Sequence, residues 1–142
     1  MHFGLSVATL GIFGDPRLVQ RLSHVAEQAG WDGLFVWDHL AYAWGVPSGD
    51  PWICLAAAAG TTERLLLGTA VTPLPRRRPQ VLAQTVTTLD QLSNGRVVLG
   101  AGLGGVPEEF TAFGEPGEAT TRAAMLDEAL ELLDGLLRGQ SV

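Results

Sequence analysis

The chain has 142 residues, 46% of them hydrophobic and 17% charged, and a formal net charge of −6. That length suggests one domain, and the composition can bury a core, which excludes disorder on compositional grounds. The acidic balance is a poor match to a phosphate backbone, and the one basic cluster, Arg76-Arg77-Arg78, is too short to make a nucleic-acid groove.

In chain order, short apolar segments predict strands at 3–8, 33–37, 65–71 and 96–99. Each is nearly continuously apolar rather than alternating, as expected of parallel strands covered on both faces. A helical pattern follows each strand. The first places Leu18, Leu22, Val25, Ala26 and Ala29 on one face. The third places Leu82, Val86 and Leu89 together, with Val81 and Leu92 less well aligned. The fourth aligns Leu126, Ala129, Leu130, Leu133, Leu136 and Leu137. Asp15-Pro16 and Asp50-Pro51 each read as an N-cap followed by proline at the first helical position, and Pro79 can open the third helix in the same way. Gly30, Gly60 and Gly95 stand where helices must stop. The pattern recurs roughly every 30 residues, close to the unit of an eight-fold (β/α) barrel of about 250 residues. Crossovers of this length require parallel strands. The expected fold is therefore α/β, built of four parallel βα units. Residues 139–142 lie where a loop into a fifth strand would begin. Periodicity alone leaves two architectures open: a complete four-stranded open sheet, or the first half of a TIM-type (β/α)8 barrel.

The single cysteine, Cys54, excludes an internal disulfide framework and reads as a small buried hydrophobe. The longest apolar run, 53–59, is too short to span a bilayer, and the N-terminus lacks the pattern of a signal peptide. A cytoplasmic protein without membrane contact is the expectation. The three histidines show no metal-ligand spacing, so no metal is expected.

Chemistry in parallel α/β folds collects at the carboxyl ends of the strands. The apolar first loop, 9–14, could line a pocket or pack under the rim. After the second strand come Asp38 and His39: a histidine there can transfer a proton near neutral pH, and an adjacent carboxylate can orient it. The competing reading makes Asp38 a turn cap and His39 a satisfied surface histidine. After the third strand, Ala70, Val71 and Thr72 are small or β-branched and would let a planar ring lie close to the backbone, or else form an ordinary strand end. Gly100, Gly102 and Gly105 match the Gly-x-Gly-x-x-Gly spacing, but no clear helix follows and no acid-terminated strand arrives about 20 residues later. Gly100, Gly102 and Gly104 better suit close approach of a cofactor or substrate, or a tight loop. The triple arginine could hold an anion, although a solvated loop is the simpler reading.

Three segments carry a resemblance: AGWDGLFVWDH at 29–39, LGTAVTP at 67–73 running on to RPQVLA at 78–83, and TLDQLSNGRVVLGAG at 88–102. In this order and spacing the chain resembles the luciferase-like family of flavin- and deazaflavin-dependent oxidoreductases, over nearly its whole length but only the first half of that family's barrel. The resemblance implies a (β/α)8 barrel using FMN or coenzyme F-420 (a 5-deazaflavin), with the ring at the carboxyl face and a small organic molecule as substrate. It implies His39 in a proton-handling role with Asp38 beside it, Ala70-Val71 at a bulge behind the ring that is often a non-proline cis peptide, and Gly100 to Gly104 along the cofactor's approach. Asp-His after strand two resembles the deazaflavin branch more than the aldehyde luciferases. Gly105 stands where some deazaflavin dehydrogenases carry an acid, the nearest acids being Glu108 and Glu109, which argues against a sugar-phosphate dehydrogenase. The family's main cofactor-phosphate contacts come from the second half of the barrel. The expectation is one luciferase-like domain over 1–142 that self-associates or pairs with a second half-barrel; the alternative is a truncated, non-catalytic paralogue acting as a binding or assembly module.

Overall fold

The computed structural model describes residues 1–40 and 45–141. Val142, the last residue of the expected loop toward a fifth strand, lies outside them. In chain order the elements are β1 (Gly4–Val7), α1 (Pro16–Gln28), β2 (Gly33–Val36), α2 (Pro51–Ala59), β3 (Leu66–Thr69), β4 (Thr72–Pro73), α3 (Pro79–Ser93), β5 (Val97–Val98), β6 (Ala101–Gly102), α4 (Glu108–Thr111) and α5 (Ala119–Leu137). Strands β1-β2-β3-β5 form a parallel sheet in that order, and β4 pairs with β6, also in parallel. A strand falls within each of the four predicted segments, and two further short strands, β4 and β6, lie just beyond the third and fourth.

The helix-boundary residues stand where the sequence predicts. The Asp15 carboxylate accepts from the Arg17 N–H and that of Asp50 from the Trp52 and Ile53 N–H groups, each ahead of a proline at the helix start. Gly30 and Gly95 take positive φ values of 86° and 79°, where a side chain would be strained. Gly60 differs, ending α2 in right-handed geometry at φ −70°.

Register fixes which side chains share a face. Leu5, Val7, Leu34, Val36, Leu67 and Val97 point to one side and pack in the core with α2 and α3 residues such as Leu55, Leu82 and Val86. The other side carries Gly4, Ser6, Gly33, Phe35, Leu66, Gly68 and Val98. There the Phe35 ring lies across the glycines: a Cβ on Gly4, Gly33 or Gly68 would come within 3.0 Å of it. Leu66 and Val98 on this side are 41% and 38% exposed. The sheet is therefore covered on one face and open on the other.

The phase of α1 differs from expectation. Val19, Ser23 and Ala26 are buried, whereas Val25 is 59% exposed. Ser23 fits the core side because its hydroxyl donates to the Gln20 carbonyl at 2.8 Å, so a polar residue occupies a position that hydropathy alone assigns to its neighbour. In α5, Ala129 and Leu133 are buried and Leu126 and Leu136 pack against the core, while Leu130 and Leu137 are exposed. Helix α3 buries Leu82, Val86 and Leu89 and exposes Val81 and Leu92.

Two polar devices close the amino end of the sheet. Arg96, buried, donates to the carbonyls of Ala59, Thr62, Leu65 and Ser93 and to the Thr62 hydroxyl, which satisfies carbonyls at the ends of α2 and α3. The Glu27 carboxylate accepts from the backbone N–H groups of Glu63, Arg64 and Leu65. Cys54 is buried as the sequence suggests, and burial pushes its thiol up to about 11. No helix among the described residues is long and apolar enough to cross a membrane.

Two of the glycines after β5 are packing requirements. A Cβ on Gly100 would stand 2.1 Å from the Thr69 carbonyl oxygen, and one on Gly102 2.4 Å from a Val71 methyl. Gly100→Ala should therefore destabilise the fold by about 1–3 kcal/mol through overpacking. Gly105→Ala, at a position with nothing within 4 Å, is the matched control and should change little. Urea unfolding measures both, and equal stabilities would show that the backbone separates freely at Gly100.

Candidate functional site

The carboxyl ends of β2, β3 and β5 gather one buried charged cluster. Asp38, directly beyond β2, is 2% exposed. Its carboxylate receives both Arg76 and Arg77: Arg76 Nη2 at 2.9 Å, and Arg77 Nη2 at 2.7 and 2.8 Å with its Nε at 3.2 Å. Arg76 also donates to the Asp38 carbonyl at 2.7 Å and, from Nη1, to Glu109 Oε2 at 2.5 Å. Glu109 Oε1 lies 2.9 Å from His39 Nδ1 and accepts the Leu40 N–H at 2.9 Å. Two carboxylates and two guanidiniums thus balance, and the planar guanidinium forks fit carboxylates from two sides.

Three segments place the members of the cluster. Asp38 and His39 leave β2. Arg76 ends the short 3-10 turn Leu74–Arg76 after β4, and Glu109 lies in the four-residue helix α4. Beside Glu109, Phe110 is fully buried, with the Arg76 and Arg122 guanidiniums 5.8 and 4.6 Å from its ring centroid. Arg122, itself buried, also donates to the Gly104 carbonyl at 2.8 Å, which ties α5 to the glycine loop.

The sequence expectations are corrected here in two respects. The carboxylate bonded to His39 is Glu109; both Asp38 oxygens are taken by arginines, so Asp38 anchors the arginine pair instead of orienting the histidine. Arg76 and Arg77 do not form a solvated loop: their side chains are 7% and 27% exposed. His39 is itself only 19% exposed, its ring meeting that of Trp37 edge-on at 5.7 Å. In the first loop Thr9 is buried, whereas Ile12 is 73% exposed.

Burial on its own would raise the Glu109 pKa. The Leu40 N–H, the Arg76 and His39 hydrogen bonds and the Arg76 charge outweigh it, and the carboxyl is held below its ordinary value of 4.5. A depressed pKa contributes stability that is present above about pH 4.5 and is lost as pH falls through the lower folded value. Glu109→Gln should therefore be less stable than wild type at neutral pH, with the difference shrinking as pH falls below 4 (a threshold of about that size follows from the ordinary glutamate value). A constant difference from pH 7 to 3 in thermal unfolding would count against the assignment.

The cofactor-side candidates fall into two groups. Ala70 and Val71 are exposed at the carboxyl end of β3, and the peptide between them, in the segment joining β3 to β4, is cis. Gly100 is half-buried and Ala101 exposed beside them. Thr72, in contrast, is fully buried: its hydroxyl donates to Thr69 Oγ1 at 3.0 Å and its N–H to the Gly100 carbonyl at 2.7 Å. Gly102 packs on Val71, and Gly104 has φ +84° and faces the Phe110 ring. A cleft of 290 Å³ is lined by residues including Asp38, His39, Leu40, Ser48, Arg76 and Arg77. A separate 320 Å³ groove between α2 and α3 is lined by Trp52, Ile53 and Leu92 among others and has no titratable side chain. Among the described residues no cluster of His, Cys, Asp or Glu could hold a metal.

Residues 3–142 match the model of the luciferase-like monooxygenases. The chain is 43% identical over 133 residues to an F420-dependent glucose-6-phosphate dehydrogenase of Beutenbergia cavernae, covering 89% of this chain and 39% of the relative. It is 35% identical over 119 residues to 4-hydroxyprotoasukamycin monooxygenase of Streptomyces nodosus subsp. asukaensis, covering 83% and 31%. Among solved structures it superposes on the monooxygenase RslO1 of Streptomyces bottropensis with a TM-score of 0.83 at 31% identity, covering 96% of this chain and 43% of that one. An F420-dependent secondary alcohol dehydrogenase bound to an F420-acetone adduct gives a TM-score of 0.82 at 28% identity, covering 95% and 41%. Parallel βα units with a polar cluster at the strand ends define an α/β protein with a parallel sheet. The chain belongs to the luciferase-like monooxygenase family. It spans about two fifths or less of the length of the curated relatives named here.

Proposed function

We propose that the chain is the amino-terminal half of a luciferase-like oxidoreductase site, with His39 handling a proton beside a deazaflavin ring. The observation that carries this reading is the placement of His39: it stands at the carboxyl end of β2, held through Nδ1 by a buried carboxylate. FMN is the other candidate cofactor. The exposed, small and uncharged surface of Ala70, Val71, Gly100 and Ala101 fits the face of a planar ring, with Gly102 and Gly104 supporting it and Thr72 bracing it from behind. When bound, such a ring supplies hydride transfer to or from a small organic substrate or, as reduced FMN, oxygen chemistry. His39 gives or takes the proton that accompanies this at the substrate, and Asp38 keeps Arg76 and Arg77 in place around it. The deazaflavin preference rests on the Asp38-His39 pair and on the F420-dependent relatives.

The open sheet face supports the half-barrel form of this proposal. A doubly wound sheet has both faces covered, whereas Leu66 and Val98 are exposed on the uncovered side here. Four strands with free edges and one apolar face suit pairing with a second half-barrel or with another copy of the chain. A non-catalytic binding or assembly module would share that surface.

Fluorescence titration of the purified chain with F420 and with FMN tests the proposal. Saturable binding that Val71→Asp weakens at least tenfold is expected, and an equal response of both proteins, or none from either, would overturn it.

A further inference from the structure

We propose that Glu109 is a positioning residue that fixes which nitrogen of His39 works as the base. This deepens the reading of His39 as the proton-handling side chain and rests on it. Glu109 Oε1 meets both His39 Nδ1 and the Leu40 N–H at 2.9 Å, so one oxygen holds the ring and the backbone beside it. Oε2 is bound by Arg76 Nη1, so the carboxylate cannot turn without breaking a second contact. The residue is buried, and its pKa lies below the ordinary value, so it is ionised at neutral pH.

An ionised carboxylate only accepts hydrogen bonds. A contact with Nδ1 therefore requires that nitrogen to carry a proton. In the neutral ring the basic lone pair is then on Nε2. The other charged groups packed at this cluster, Asp38, Arg76 and Arg77, are bonded to one another, and Glu109 links them to the ring. Arg76 thus reaches His39 through Glu109. The sequence pattern hides this, because Glu109 is 70 residues from His39 and the apparent partner is the adjacent Asp38.

Long-range proton–nitrogen NMR spectra of the imidazoles in the 142-residue protein test the proposal, above the pH at which the rings are protonated. His39→Gln assigns the signal among three histidines. The wild-type protein should show His39 as the single Nδ1–H form. In Glu109→Gln the amide can offer its oxygen to His39 or to Arg76 but not to both, so His39 should shift to the Nε2–H form or to an exchanging mixture. A wild-type Nε2–H ring would overturn the proposal, as would an unchanged Nδ1–H ring in a folded Glu109→Gln protein. Should that variant not fold, the wild-type spectrum decides. The spectra need no cofactor, so failed cofactor binding would count against the proposed function and leave this result standing.

Discussion

Replacing Arg76 with alanine should lower the folding free energy by about 3–5 kcal/mol, the cost of breaking a buried ion pair from one side. Arg76 joins Asp38 and Glu109, whose side chains are each 1% exposed. Its removal leaves Glu109 Oε2 without its guanidinium and Asp38 with Arg77 alone. Arg76→Lys should recover only part of the loss, since an ammonium cannot span two carboxylates and the Asp38 carbonyl as a fork does. The internal comparison is Arg138→Ala, which breaks an exposed i,i+4 pair with Asp134 and should cost no more than about 0.5 kcal/mol. Urea unfolding of the three variants measures the ratio. An Arg76→Ala protein as stable as Arg138→Ala would mean that water reaches and solvates the cluster.

The second large effect concerns turnover. In the catalytically complete protein, His39→Ala should lower kcat by about 10²–10⁴-fold, the range for loss of a positioned proton-transfer group. The accompanying change in KM should be small if the ring acts only on the proton in the transition state. A kcat unchanged across pH 6 to 8 would remove His39 from the mechanism. Asp38→Asn separates placement from chemistry. It weakens the arginine anchor without touching the Glu109–His39 bond, so its main loss should be in stability.

The strands, the caps and the parallel order were legible in the sequence because they rest on local signals: apolar runs of strand length, Asp-Pro at helix starts, Gly after helix ends. The sheet register then follows from a period of two. The phase of α1 was less legible, because Ser23 solves its own hydrogen bond and can sit where hydropathy expects Leu or Val. The interruption at Ala70-Val71 was anticipated only through family resemblance, since nothing in the residue types there demands a cis peptide.

The candidate site was half legible. His39 and Asp38 stood out by position, but the pairing between them did not follow from adjacency: neighbouring residues on an extended segment point in opposite directions. The arginines were visible as a cluster and misread as solvated, because a charge run carries no sign of whether carboxylates await it. Asp38 and Arg76 are 38 residues apart, and only the closure of β2 against β3 brings them together. On sequence alone the glycines after β5 suit close approach of a ligand or a tight loop. Two of them are first required by Thr69 and Val71 of the same chain, and any ring would meet the surface those contacts leave.

The proposed function puts a flavin-type ring at the carboxyl end of this sheet, beside His39. Backbone amide shifts of the isotopically labelled chain, followed through titration with F420 and then with FMN, test it most directly. Saturable shifts are expected at His39, Val71, Gly100 and Ala101, larger with F420, and none in the groove between α2 and α3. Shifts confined to that groove, around Ile53 and Leu92, or no shifts with either cofactor, would contradict it.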